Sequence, residues 1–385
     1  MFESVCFRHR QPLYNEDLDI CFLAEAMLFY QNVHLIADMG VIKQLVYECG
    51  PALVNEFIEE GFLKISYLEK IIGIAPYDNG LLRPITVLPA KGVWHLEKMA
   101  PEIFSRAVGG PGYGRQLGKR FASLVPTLDI GNDSFSMINA DFSDQIYVEK
   151  AIKQLLSVLV PTYNLPQDYR FKISKQGDYF RVDTNIDFRQ VNESFNKSWQ
   201  KEGELLTVHS LLIYLFDARN DLIFASRGNS ELATSPGIAS IIDTKYREIL
   251  NTRSKSQHNM EVFQELVLLN GHEIGESIKM GYRTWRDLLM LLKQARKFKE
   301  WLGQKESDAS LIYEYNKALE KDTWLGTNPI KNFRFLVFTA VEAIIPTPIS
   351  IALSAADTFL VDPLLGGWRP NQFVNGPLKR FARLD

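Results

Sequence analysis

Cysteine is scarce in this chain: three stand in 385 residues, at positions 6, 21 and 49, and no two of them show C-x-x-C spacing. An odd set confined to the first fifty residues argues against a disulfide framework and suits a reducing cytosol. The opening MFESVCFRHRQPLY has no apolar run of the length a secretory signal needs, so the expected location is cytoplasmic. Charge of one sign is missing as well. Lys and Arg number 43 against 46 Asp and Glu, a net of −3 that demands neither nucleic acid nor an anionic membrane as partner. The six histidines never fall at i, i+4, which removes the usual zinc-helix signature. There is no G-x-S-x-G elbow, no internal repeat and no low-complexity stretch. With 46% hydrophobic and 23% charged residues, the composition is that of an ordinary folded chain, long enough for two or three domains.

What is present divides into two halves. From Leu18 to Met27 the apolar residues Leu18, Cys21, Phe22 and Ala26 recur at helical spacing, and NVHLIAD after them reads as a short strand ending at Asp38. GVIKQLVYECGP and ALVNEFIEEG carry the helical period and stop at Gly50 and Gly61. FLKISYL resumes as a strand, and RPITVLP is a candidate third. The expectation for residues 1–165 is therefore an α/β domain with a short, mostly parallel sheet. DYRFKISKQGDYFRVDTNIDF predicts a β-hairpin turning at Gln176-Gly177-Asp178, so residues 166–204 are expected to hold that hairpin and a connecting helix. From TVHSLLIYLFDARNDLIFA onward the pattern predicts a mainly α-helical domain over 205–385. Ser235-Pro236 starts one helix, and Thr284 starts another with an apolar stripe of Trp285, Leu288, Leu292, Ala295, Phe298 and Leu302.

Three stretches carry candidate chemistry. GGPGYGRQLGKR, residues 109–120, is glycine-rich and basic, but its spacing fits neither a P-loop nor G-x-G-x-x-G. It reads as a flexible connection, with Arg115, Lys119 and Arg120 as candidate anion binders. Asp38 closes NVHLIAD and Glu69 follows FLKISYL, and carboxylates at strand ends are where α/β folds gather Mg2+ or Mn2+ to activate water. That opening, over about residues 33–69, resembles PIN-type nucleases, in which an acid closes the first strand and another follows the second. The resemblance implies a metal-dependent nuclease or phosphohydrolase, with Asp141 and Asp144 as further candidate ligands; the competing reading makes Asp38 a helix cap and Glu69 a solvated side chain. Lys293, Arg296 and Lys297, with Lys299 nearby, form a basic cluster that Glu300, Glu306 and Asp308 offset, so nucleic acid is not the expected partner.

The last stretch, FLVFTAVEAIIPTPISIALSAADTFLV at 335–361, is the most apolar in the chain. A spanning helix needs about 20 apolar residues, whereas Glu342, Asp357 and two prolines divide this one. Asn328-Pro329 and Thr347-Pro348 instead predict a hairpin of two helices over 329–361. Its expected role is burial within the chain or contact with a second copy, with membrane contact the weaker alternative. The tail beyond it interleaves Trp368, Phe373 and Phe381 with basic residues, an interfacial anchor or a segment docked into a core. The leading functional expectation is a cytosolic interaction or regulatory protein that assembles through its helical C-terminal part, with the metal-dependent hydrolase as the alternative.

Overall fold

Phe7, Leu35 and Ile65 stand side by side across three neighbouring strands, and that row is the centre of the molecule. The computed structural model describes residues 4–8, 18–69, 71–77, 80–87, 95–128, 131–199, 206–228, 230–245, 274–303 and 370–382. Strands β1 (Ser4–Arg8), β2 (Asn32–Ala37), β3 (Lys64–Leu68), β6 (Thr127–Leu128) and β9 (Glu231–Ala233) form a wholly parallel sheet in the order β6-β3-β2-β1-β9. Because strand side chains alternate, Val5, Phe7, Val33, Leu35, Ile65 and Tyr67 enter one core, while Cys6, Ile36 and Leu68 enter a second core on the opposite face.

Helices α1 (Ile20–Phe29), α2 (Met39–Cys49), α3 (Pro51–Glu59), α4 (Leu96–Val108) and α5 (Pro111–Leu124) contribute to the first core. So do α11 (Ile274–Lys279) and α12 (Trp285–Gly303), with α12 lying on α1 and α3. The second core takes α6 (Gly131–Ser143), α7 (Gln145–Leu159), α8 (Phe188–Trp199), α9 (Val208–Arg227) and the helix over 236–245, α10. The N-terminal α/β region and the mainly helical C-terminal part follow the pattern of the sequence, and every residue of the Trp285-to-Leu302 stripe is buried. Thr284 and Asp287 cap α12 reciprocally: the Asp287 carboxylate accepts from the Thr284 backbone and hydroxyl at 2.8 and 2.7 Å.

Four local expectations are corrected. RPITVLP is no third strand of the parallel sheet. Its described part, residues 83–87, lies in β5 (Leu81–Val87), which turns back on β4 (Ile71–Tyr77), and these join β7 (Phe171–Gln176) and β8 (Tyr179–Thr184) in an antiparallel sheet of order β4-β5-β8-β7. The hairpin at Gly177, with φ of 63°, is thus one half of a second sheet that packs on α6, α7 and α9. MFESVCFRHR supplies the inner strand β1, between β2 and β9, which five residues were too few to announce. The helical half adds the short edge strand β9. The fourth correction concerns 109–120: Gly112, Gly114 and Gly118 belong to helix α5, where the last two let two backbones touch. A Cβ on Gly114 would lie 2.5 Å from Ser105 Cα, and one on Gly118 2.5 Å from the Ala100 carbonyl and Pro101 Cα, so α4 and α5 approach closely only because both positions are bare.

The basic cluster of α12 is also rearranged by packing. Lys293 and Arg296 reach Glu56 of α3 and Glu60, the residue that caps its C-terminus. Lys299 turns inward, 5% exposed, and donates to the Met27 carbonyl at 2.8 Å beside the Phe62 ring. The tail docks in the same core: Pro370–Phe373, a π-helical turn Val374–Leu378 and Lys379–Ala382 bury Phe373 and Phe381, and Phe373 stacks on Phe298 at 4.9 Å. The expected apolar hairpin at 329–361 and Trp368 lie outside the described residues. No described helix is long and apolar enough to cross a membrane.

Two outcomes follow. Gly118→Ala should cost at least about 1–3 kcal/mol in urea unfolding, since the contact it forces is with backbone and cannot be relieved by a rotamer. Burial, reinforced by Arg296, lowers the pKa of Lys299 to about 7. A lysine whose folded pKa lies below its unfolded value destabilises the fold when protonated, so stability rises with pH from about 7 toward 10.5. Lys299→Met should stabilise the protein at pH 7 and remove a rise of about 2–3 kcal/mol between pH 7 and 9.

Candidate functional site at the carboxyl edge of the sheet

Five parallel strands bring their carboxyl ends to one edge, and the helices that follow them point their N-termini at it. Asp38 directly follows β2 and Glu69 directly follows β3; Ala37 pairs with Tyr67, so the two acids stand on adjacent strands within one residue of the same level. Asp38 caps α2, its Oδ1 accepting from the Val41 N–H at 3.0 Å, and Gly40 leaves room for that carboxylate. Glu69 is not merely solvated. Its Oε1 accepts from Nδ1 of His95, the residue before α4. Near both is Tyr67 of β3, 1% exposed, whose hydroxyl is pushed up to about 12 by burial and then by the charges of Glu69 and Asp38. Both acids therefore act on one point, although the imidazole of His95 is the exposed member, at 59%.

The other acid candidates are engaged elsewhere. Asp141 in α6 is 3% exposed and takes a two-pronged contact from Arg219, 2.6 Å to each oxygen, together with the Lys245 ammonium. Asp144 caps α7 through the Tyr147 N–H at 3.0 Å. Among the described residues no three His, Cys, Asp or Glu side chains gather as ligands for a metal ion. The strand ending at Asp38 is the second of the sheet, not the first, so the counting behind the PIN-type resemblance is displaced by one strand. Of the proposed anion binders, Arg115 and Lys119 are exposed on α5 and Arg120 pairs with Glu59 of α3.

Farther along the edge the chain reverses direction. It steps outward from β1 through β2 and β3 to β6, then returns to place β9 on the other side of β1. Such a switch point is where open α/β sheets form a crevice. Here it is filled: Arg8, the last residue of β1, donates from Nη2 to Asp217 at 2.6 Å and from Nε to Asp221 at 2.9 Å, both on α9. Thr234, just after β9, donates to the other oxygen of Asp221 at 2.7 Å. Burial alone would lower the pKa of Arg8, but the two aspartates outweigh it and hold the guanidinium charged. The same burial raises Asp221, against the pull of Arg8 and with the push of Asp217. Among the described residues, the buried Asp217 Oδ2 and Asn220 Oδ1 find no hydrogen-bond partner.

Sequence reasoning missed His95, because nothing local ties it to Glu69 twenty-six residues earlier. It also missed Arg8. A signal for its partners was present, in two acids one turn apart within the apolar helix LLIYLFDARNDLIFA. Arg8→Met should cost about 3–5 kcal/mol in chemical denaturation, because it strands two buried carboxylates. Adding Asp217→Asn and Asp221→Asn should recover part of that loss. Comparison of the chain with protein-family models, with curated proteins and with solved structures returns no match.

Proposed function

We propose that the protein is a hydrolase working at the carboxyl edge of β2 and β3, with His95 as general base, Glu69 as the carboxylate that orients it and Asp38 alongside. The observation that carries this reading is the Glu69–His95 contact, which holds an exposed imidazole by its Nδ1 at the end of a parallel strand. With Nδ1–H donating to Glu69, the lone pair of Nε2 is left to take a proton from water as it attacks, and the carboxylate steadies the imidazolium that forms. Asp38 and Glu69 each spend one oxygen on a neighbour, which leaves the second oxygen of each as a hard donor for Mg2+ or Mn2+. An anionic phosphodiester would be repelled by these two carboxylates unless such an ion lay between, so the proposed substrate class is a phosphodiester presented with a divalent cation.

The test is turnover of bis(p-nitrophenyl) phosphate and of single-stranded RNA with and without Mn2+. Wild type should be active only with the ion, and His95→Gln and Glu69→Gln should each lose about 100- to 10,000-fold while melting as wild type does. An inactive wild type, or a His95→Gln variant at full rate, would reject the site.

A second reading is an interaction protein that assembles through its C-terminal helices. What supports it is apolar exposure at the corner between α11 and α12, where Met280, Tyr282 and Met290 are 63%, 51% and 53% exposed.

A further inference from the structure

The antiparallel sheet β4-β5-β8-β7 turns one face inward and leaves part of the other in water. Ile74, Leu82, Phe171, Ile173 and Phe180 enter the second core, so by strand alternation the residues between them point outward. On that outer face Tyr77 is 56% exposed, and Arg83, Lys172 and Arg181 are exposed as well. The register brings them together from two segments far apart in the chain, which is why no local pattern announced them. The Tyr77 and Tyr179 rings lie 4.8 Å apart with 38° between their planes, and the Arg83 guanidinium sits over the Tyr179 ring at 5.6 Å. Arg83 faces Ala75 across the ladder and Arg181 faces Leu81 and Ser174, so neither stands opposite an acid. Asp183, opposite Lys172, is paired with Arg170 at 3.5 Å, and Asp178 stands in the hairpin turn.

We propose that this face binds a single strand of nucleic acid, with a base stacked on Tyr77 and phosphates held by Arg83, Arg181 and Lys172. The proposal deepens the hydrolase reading, on which it rests for the fate of the strand, by making the substrate a polynucleotide. Planar stacking decides between occupants of like charge. An acidic peptide would meet the cations and leave the exposed tyrosine ring in water, whereas every base offers a π-face to that ring and every link a phosphate to a guanidinium. A duplex keeps its base faces stacked on one another and so has none to give. One strand joins the two places: β4 starts two residues after Glu69 and ends at Tyr77, a reach of at most about 27 Å at 3.4 Å per residue.

The probe is a fluorescein-labelled single-stranded RNA of about 12 nucleotides, within the span that stacking sites cover, titrated into the full chain by anisotropy in EDTA so that no turnover intervenes. Micromolar binding is expected. Tyr77→Ala should weaken it about five- to 150-fold, the worth of one stacked base. Arg181→Gln should flatten the slope of log K against log salt by about 0.7, the share of one phosphate. Both side chains are exposed, so each variant should melt as wild type does. No binding, equal binding by Tyr77→Ala, or displacement of the strand by polyglutamate at matched charge would overturn the proposal. The two readings fail separately. A strand bound in EDTA yet left uncut with Mn2+ rejects the hydrolase and keeps the binding face, whereas cleavage by wild type with undiminished binding by Tyr77→Ala rejects the binding face and keeps the hydrolase.

Discussion

Arg8 is the pivot on which this molecule closes. One guanidinium at the end of the first strand is bonded to two aspartates on α9, and one of those aspartates is bonded in turn to the threonine after the last strand. The partners are more than two hundred residues apart in sequence, so the contact depends on long-range closure of the chain. A buried ion pair is a poor source of net stability, because desolvation cancels much of its attraction. Its value here is positional. A helix slipped by one residue would leave a charge in an apolar layer without its partner, and only one register of α9 on the sheet avoids that cost.

The central sheet serves two cores at once, and this shapes its sequence. Its first face is uniformly apolar, from Val5 to Tyr67, and its second mixes Cys6, Ile36 and Leu68 with His34, Ser66 and Arg8. His34 bonds Ser66 at 2.9 Å, and burial, with Lys64 nearby, lowers its pKa to about 4, so it is a neutral member of the layer. The polar groups on that face are satisfied laterally, strand to strand, or from α9 above. The carboxyl edge inherits its order from this arrangement, since the strands that hold Asp38 and Glu69 cannot shift without disturbing both layers.

Much of this architecture was legible in the chain. The short apolar runs in NVHLIAD and FLKISYL, the glycine stops at 50 and 61, the hairpin at Gly177 and the stripe of α12 are local patterns, and local patterns survive folding. Asp38 was legible as a cap for the same reason. The errors arose where tertiary contact decides. Gly114 and Gly118 look like loop residues because glycine is a poor helix former, yet their bareness is what α4 requires. β1 is too short to show a period, and its place inside the sheet depends on partners far downstream. His95 and Glu69 had no spacing rule to join them, so the carboxylate was legible as a candidate and its imidazole partner was not.

The parallel sheet ends on β6, two residues long, and on β9, three residues long. A strand edge is a row of unpaired amide donors and carbonyl acceptors, and it recruits other strands in proportion to its length. These two borders offer little to recruit with. The longer, stickier strands β1, β2 and β3 sit between them and are paired on both sides. The sheet that organises the whole protein is thereby closed to edge-on growth, and neighbouring molecules are kept from joining it strand by strand.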